Sequence, residues 1–183
     1  MSMTEEYAVS RYEEACQLLP GRLRAAALAA GRREKAAAEE LRLRLGRPVY
    51  LTLPEGERPL PETQVARCDL EQVLDRATEY SRYTASETLR HGYVTARGGF
   101  RVGVCGTALP NGESNEGVRD VSSLALRIPR VREGAARPVL PGLLEEGRLL
   151  SALVLSPPGG GKTTLLRDLV RLASQGEGLP EPL

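Results

Sequence analysis

Leu149-Leu150-Ser151-Ala152-Leu153-Val154-Leu155-Ser156-Pro157-Pro158-Gly159-Gly160-Gly161-Lys162-Thr163-Thr164 is the stretch on which the fold turns. Its first half is apolar and short, which predicts a buried strand over 151–155. Its second half is a glycine-rich turn. Leu165, Leu166, Leu169 and Leu172 then recur at the spacing of an amphipathic helix, predicted from about Lys162 to Ser174. Strand, glycine turn and helix in that order suit a polyphosphate. Glycines let backbone N–H groups converge on phosphate oxygens without a Cβ clash, and the helix N-terminus adds donors and the positive end of its dipole. Lys162 would reach the β- and γ-phosphates, the Thr163 hydroxyl would ligate Mg2+, and Thr164 would add a hydroxyl near the α-phosphate. The nucleotide-binding residues read from the motif are Ser156, Pro157, Pro158, Gly159, Gly160, Gly161, Lys162, Thr163 and Thr164, with ATP and Mg2+ as ligands. The strict pattern G-x-x-x-x-G-K-[ST] opens on glycine, where this chain has Ser156.

The choice of cation supports the reading. Lysine and arginine total 25, yet Lys35 and Lys162 are the only lysines. The wide planar fork of arginine does not fit inside such a loop, whereas a flexible ammonium does. The rest of the composition sets bounds. A chain of 183 residues with 41% hydrophobic and 27% charged content is globular, long enough for one domain and part of another. A net charge of +1 and 4% aromatics give no bulk pull toward nucleic acid and few stacking platforms. Cys16, Cys68 and Cys105 are far apart and His91 is the one histidine, which argues against a Cys/His metal site and suits reduced thiols in a cytoplasm. No apolar run approaches the ~20 residues of a membrane span, and the acidic N-terminus lacks a signal-peptide pattern, so any membrane contact is expected to be peripheral.

Outward from the loop, the chain reads as mixed helix and sheet. Ser2 and Glu5 have capping-box spacing for a helix to about Leu19, Pro20-Gly21 breaks it, and 22–40 is helical with an interruption at Gly31. Leu41, Leu43 and Leu45 alternate with Arg42 and Arg44, then Val49, Leu51 and Leu53 alternate, predicting a hairpin over 41–53. Residues 54–61 read as a polar loop. Asp69 is placed to cap a helix whose apolar face is Leu70, Val73, Leu74 and Ala77. A short helix over 86–91 ends at Gly92. A β region follows: Tyr93–Ala96, a Gly98-Gly99 turn, Phe100–Leu109, an Asn111-Gly112 turn and Ser123–Ile128. Residues 129–138 read as a linker, and 141–150 as a lead-in through a short helix. The expected class is α/β: a mixed α+β N-terminal domain, residues 1–135, followed at 136–183 by the start of a RecA-like P-loop NTPase domain.

A phosphate loop alone does not hydrolyse. Such ATPases need a second acid at the end of another strand, and Asp168 lies inside the loop's own helix and points away. The expectation is a chain shortened after this helix and inactive by itself. Arg101, Arg119, Arg127, Arg130 and Arg132 cluster in sequence upstream. An arginine presented to a γ-phosphate across a domain or subunit boundary stabilises charge there, and each of the five could serve or be an ordinary solvated charge.

Glu40-Leu41-Arg42-Leu43-Arg44-Leu45-Gly46-Arg47-Pro48 resembles the E-x-R-L-R-x-G-R-P hairpin of the stage III sporulation protein AA family. Leu89-Arg90-His91-Gly92-Tyr93-Val94-Thr95, with Gly98-Gly99-Phe100-Arg101-Val102-Gly103-Val104-Cys105-Gly106, is similar to that family's L-R-x-G-Y-I-T…G-G-H-R-V-G-L-x-G, with Phe100 where the family has histidine. Arg119-Asp120-Val121-Ser122-Ser123-Leu124 and Leu126-Arg127-Ile128-Pro129-Arg130 resemble R-D-I-S-S-x-N-I-R-I-x-R. Ser156–Thr164 with Leu165-Leu166-Arg167-Asp168 resembles P-P-x-x-G-K-T-T-L-L-R-D. The resemblance, over roughly residues 11–174, implies a mother-cell ATPase of endospore formers, cytoplasmic and peripheral to a membrane complex. It would work with other stage III sporulation membrane proteins at a mother-cell/forespore channel. The family is itself similar to secretion and pilus ATPases, which implies a homo-oligomer, a hexamer by analogy, with upstream arginines supplied to nucleotide; the resemblance makes Arg101, Arg119, Arg127 and Arg130 the candidates for that role.

Two other readings stand beside it. One is a nucleic-acid-binding module, because Gly103-Val104-Cys105-Gly106 fits the G-x-x-G of KH domains and Arg97-Gly98-Gly99-Phe100 resembles an arginine–glycine–glycine element. Neutral charge and scarce aromatics oppose it, and no nucleic-acid partner is expected. The other is a non-catalytic assembly platform.

Overall fold

The computed structural model of the chain describes residues 3–81, 85–111, 114–130, 133–157 and 160–176. It divides into two compact units, Met1–Arg130 and Val131–Leu183.

In the first unit, α1 (Met3–Cys16), α2 (Gly21–Leu28) and α3 (Arg32–Ala37) are separated at Pro20 and Gly31, as the breakers predict. Strands β1 (Glu40–Arg44) and β2 (Tyr50–Leu53) form the predicted hairpin, with Leu41 opposite Leu51. The polar loop expected over 54–61 instead contains a strand, β3 (Gly56–Pro59), paired to β2 with Tyr50 opposite Pro59. All four of its residues are exposed, so burial left no periodicity to read, and Pro59 is tolerated because the strand is an edge. Helix α4 (Arg67–Ala77) buries Leu70, Val73, Leu74 and Ala77. Its N-cap is Ala66, and Asp69 is the third helical residue. The Asp69 carboxylate accepts the Ala66 N–H at 2.7 Å, so it caps from inside the helix and not from the cap position.

After α5 (Ser86–Arg90), β4 (Tyr93–Ala96), β5 (Phe100–Asn111) and β6 (Ser114–Arg127) complete one antiparallel sheet in the order β3-β2-β1-β6-β5-β4. β6 begins nine residues before the predicted Ser123. The extra length escapes the alternation rule because register shifts between Cys105 and Thr107 and between Ala108 and Pro110 break the period of two. The Asn111-Gly112 turn lies outside the described residues. One sheet face carries Leu41, Leu43, Leu51, Leu53, Val94, Val102, Val104, Leu124 and Leu126 into a single core with Tyr12, Leu19, Leu23, Leu70 and Val73 of the helices. The opposite face is polar and open, with Arg42, Tyr93, Arg101, Gly103, Ala125 and Arg127 along it.

In the second unit a short 3-10 helix (Leu140–Leu143) leads to a two-residue hairpin, β7 (Leu144–Glu145) with β8 (Arg148–Leu149), and α6 spans Lys162–Ser174 as predicted. Ala136, Leu140 and Leu172 are buried together, with Leu144, Leu165 and Leu169 packed on them. Leu166, predicted on the apolar face, is 48% exposed. The strand predicted over 151–155 is not formed: those residues have no ladder partner among the described residues, and Leu153 and Leu155 are 82% and 81% exposed. An extended segment becomes a strand only when a neighbour takes its N–H and C=O groups. Apolar composition records the tendency to be buried, not the presence of that neighbour. No helix among the described residues is long and apolar enough to cross a membrane.

Candidate functional site

The glycine turn delivers the chain into α6 through Gly161, whose φ of +83° is a left-handed conformation that glycine adopts without strain. Gly161 O accepts the first intrahelical bond, from Leu165 N at 2.9 Å. The N–H groups of residues 162–164 precede any intrahelical acceptor and remain available to an anion. Upstream, Gly160 N donates to Pro157 O at 3.1 Å, closing a tight turn. A Cβ at Gly160 would lie 2.5 Å from Ser156 Oγ and 3.1 Å from Pro157 O, so a larger residue there would require the Ser156 side chain to move.

Lys162 is half-buried. Its ammonium donates to Ser156 O at 2.8 Å, to Pro157 O at 3.0 Å and to Ser156 Oγ at 3.3 Å. The side chain therefore folds back across the mouth of the turn and is fixed at its root. Thr163 is exposed and Thr164 half-buried at the start of the helix. A fixed ammonium, a glycine-capped helix start and two adjacent hydroxyls fit a polyphosphate with a bound divalent cation. Lys162 and the 162–164 amides would hold the phosphates and Thr163 the metal. Pro158 and Gly159 lie outside the described residues. Among those described, no cluster of three or more His, Cys, Asp or Glu side chains is placed to hold a metal.

Asp168 is committed elsewhere. It is 2% exposed, its Oδ2 accepts the Ala136 N–H at 2.8 Å, and its Oδ1 accepts from Arg171 Nε at 2.9 Å. Burial by itself would raise its pKa. The backbone donation from Ala136, together with Arg171 and the Gly134 backbone, outweighs burial and holds the carboxyl below its ordinary value. The sequence carried a sign of this role: Asp168 falls three residues after Leu165 and four before Leu172, on the apolar stripe, where an acid is tolerated only with partners.

Of the four candidate arginines, the structure brings two together. Val102 pairs with Leu126, and one residue further the register sets Arg101 beside Arg127 on the open face. Like charges directly opposite on neighbouring strands repel. Arg101 lies over the Tyr93 ring at 4.1 Å, and Arg127 Nε is 3.5 Å from Glu40. Arg119 sits further along β6 opposite Thr107, near Asp120 at 3.8 Å. Arg130 is engaged with Glu39 and the Ala36 carbonyl, both at 3.2 Å. Arg132 lies outside the described residues.

Two further arginines join the pair. Arg42 bonds to Glu40 and Glu57, and Arg44 lies 3.7 Å from Glu57. The hydrogen bond to Glu40, and then its charge, hold the Arg42 proton more tightly than usual. The row Arg42–Ala125–Gly103–Tyr93 crosses three strand pairs. Its two small central residues leave a cavity of about 360 Å3 walled by Arg42, Arg44, Arg101 and Arg127. The alternation of Arg42 and Arg44 with leucines was readable; that they share a face with Arg101 and Arg127 depends on β1 pairing with β6, which no local pattern encodes. Gly103 and Gly106 both lie within β5. The G-x-x-G therefore forms no loop between helices of the kind that clamps a nucleic-acid backbone.

The sequence profile of the family described as "Sporulation stage III, protein AA" matches residues 9–180. Stage III sporulation protein AA of Bacillus subtilis (strain 168) is 42% identical over 139 residues. The chain belongs to the stage III sporulation protein AA family. The aligned region covers 76% of this chain and 45% of that relative, so the family member described here spans less than half the relative's length. Among solved structures, the ATPase DotB of Legionella pneumophila is similar with a TM-score of 0.42 and 15% identity, over 80% of this chain and 42% of that one. DotB of Yersinia pseudotuberculosis gives 0.41 and 12%, over 75% and 39%. Likenesses at that level carry no assignment; the family membership rests on the profile and the curated relative.

Proposed function

We propose that this chain is the nucleotide-binding portion of a sporulation ATPase, with Mg2+·ATP held by Ser156–Thr164 and Thr163 as the metal ligand. The observation that carries the reading is the Lys162 ammonium, bonded to the first two carbonyls of a glycine turn that caps α6. Bound ATP supplies a phosphoanhydride whose hydrolysis can drive mechanical work. The protein's part is to neutralise the phosphates with Lys162, to donate to them from the 162–164 amides, and to orient the metal with Thr163. Arg101 and Arg127, opposed on the open face of the first unit's sheet, are the arginines of that unit whose mutual repulsion an anion would relieve. Asp168, occupied by Ala136 and Arg171, is not assigned to water activation.

The same reading extends to the setting that the family implies. It makes the chain part of a mother-cell, cytoplasmic motor that assembles as a homo-oligomer, in a ring of six by analogy. The motor contacts a membrane only peripherally, through other stage III sporulation membrane proteins, and works at the mother-cell/forespore channel. The decisive test is titration of the chain with a fluorescent ATP analogue in the presence of Mg2+. Lys162→Ala is expected to reduce affinity at least a hundredfold, the order of two charge-assisted hydrogen bonds lost at once, each ~1.5–3 kcal/mol. Unchanged affinity in that variant sinks the assignment.

A further inference from the structure

Ser156 occupies the position that the phosphate-loop pattern gives to glycine. The residue is half-buried, and its hydroxyl stands within 2.5 Å of where a Cβ on Gly160 would lie. Ser156 Oγ donates its proton to Pro157 O at 3.1 Å, and so presents its lone pairs to Lys162 Nζ, 3.3 Å away. Among the described residues, the ammonium's other hydrogen bonds go to the carbonyls of Ser156 and Pro157. An ammonium has three N–H donors, and the loop supplies an acceptor for each. With glycine at 156 both carbonyl bonds could persist and the third proton would be free for a phosphate oxygen.

Resting on the phosphate-loop reading above, we propose that the Ser156 hydroxyl is a built-in competitor for the Lys162 ammonium, a positioning residue that occupies the donor a phosphate would use and so weakens the loop's hold on nucleotide. The ligand class is a nucleoside polyphosphate. Its β- or γ-oxygen must displace the hydroxyl before Lys162 engages it. The two backbone carbonyls meanwhile keep the ammonium at the root of the turn, so the serine sets affinity without removing the lysine from the site.

Two readouts test this, one without nucleotide. Because Lys35 and Lys162 are the only lysines, acetylation by acetic anhydride, resolved by mass spectrometry, gives the reactivity of Lys162 relative to Lys35. Lys35 is bonded to Glu13 at 2.8 Å, remote in sequence from the loop, and serves as the internal standard. Ser156→Ala and Ser156→Gly are both expected to raise the Lys162:Lys35 ratio. Both are also expected to tighten Mg2+·ATP binding by about two- to tenfold, the net worth of one hydrogen bond. An unchanged ratio in both variants overturns the proposal, as does a raised ratio with unaltered affinity. Tightening by the glycine variant alone assigns the effect to backbone freedom and also overturns it. Failure of the phosphate-loop reading is distinguishable, because it appears as Lys162→Ala binding nucleotide as well as the native chain, while the labelling ratio still reports on the hydroxyl.

Discussion

Single residues in this chain do two opposite kinds of electrostatic work. Lys162 is a cation satisfied by neutral carbonyls, so its charge remains available to an anion. Asp168 is an anion fully committed, to a backbone N–H and a guanidinium, so its charge is spent on structure. The sequence showed the first plainly, through a lysine in a chain of arginines, and the second only as an acid on an apolar stripe. The second supports a prediction. Because the folded pKa of Asp168 is depressed, its contribution is fully present above the ordinary carboxylate range, near ~4, and is lost as pH falls from there through the folded value. Asp168→Asn is expected to destabilise the second unit by about 2 kcal/mol at neutral pH, the scale of hydrogen bonds to a charged group. The difference from the native chain should narrow below about pH 4, and denaturant titrations at pH 7 and pH 3 check it. A gap that widens on acidification contradicts the assignment.

At the scale of elements, what could be read was what burial imprints locally. The hairpin over β1 and β2 and the apolar stripes of α4 and α6 carry alternation or helical spacing because one side of each faces a core. β3, exposed throughout, carries none, and the far half of the β5–β6 hairpin hides its register behind bulges. The 151–155 segment errs in the other direction, apolar without a partner. The open arginine face belongs to the same class of hidden feature, since it is created by strand order. One junction joins elements distant in sequence. Phe100 opens β5, its ring is buried, Arg11 of α1 lies over it at 4.1 Å, and Arg11 also donates to Gly98 O at 2.5 Å. Gly98 has φ +82°, and a Cβ there would meet the Phe100 ring at 2.9 Å, so turn, ring and guanidinium are fitted to one another. Phe100→Ala is expected to cost about 3–5 kcal/mol, the usual loss for a buried phenylalanine, measured by urea unfolding. A loss under about 1 kcal/mol, the range of surface substitutions, means that the ring is not a core anchor.

For the whole molecule, the division at Arg130 separates two kinds of stability. The first unit has a six-stranded sheet with helices packed into one continuous core, and its largest buried side chains come from both layers. Among the described residues the second has a small buried cluster, Ala136, Leu140 and Leu172, around α6, with Leu149, Leu150, Leu153, Leu155 and Val170 exposed. A domain of about 130 residues buries enough of its unfolded surface to be stable without help, whereas one near 50 is marginal. A fragment of residues 1–130 is therefore expected to fold alone and unfold cooperatively, with the midpoint that the full chain shows for its sheet. Phe100→Ala should lower that midpoint equally in fragment and full chain, while Asp168→Asn should leave the sheet transition of the full chain where it is, because the partners of Asp168, Ala136 and Arg171, belong to the second unit. Circular dichroism during thermal melts, run on the fragment and on both full-length variants, decides between this and a single cooperative molecule. Coincident shifts of all transitions by Asp168→Asn would show that the small unit's stability is not its own, and the nucleotide loop would then have to be treated as part of the sheet domain's folding unit.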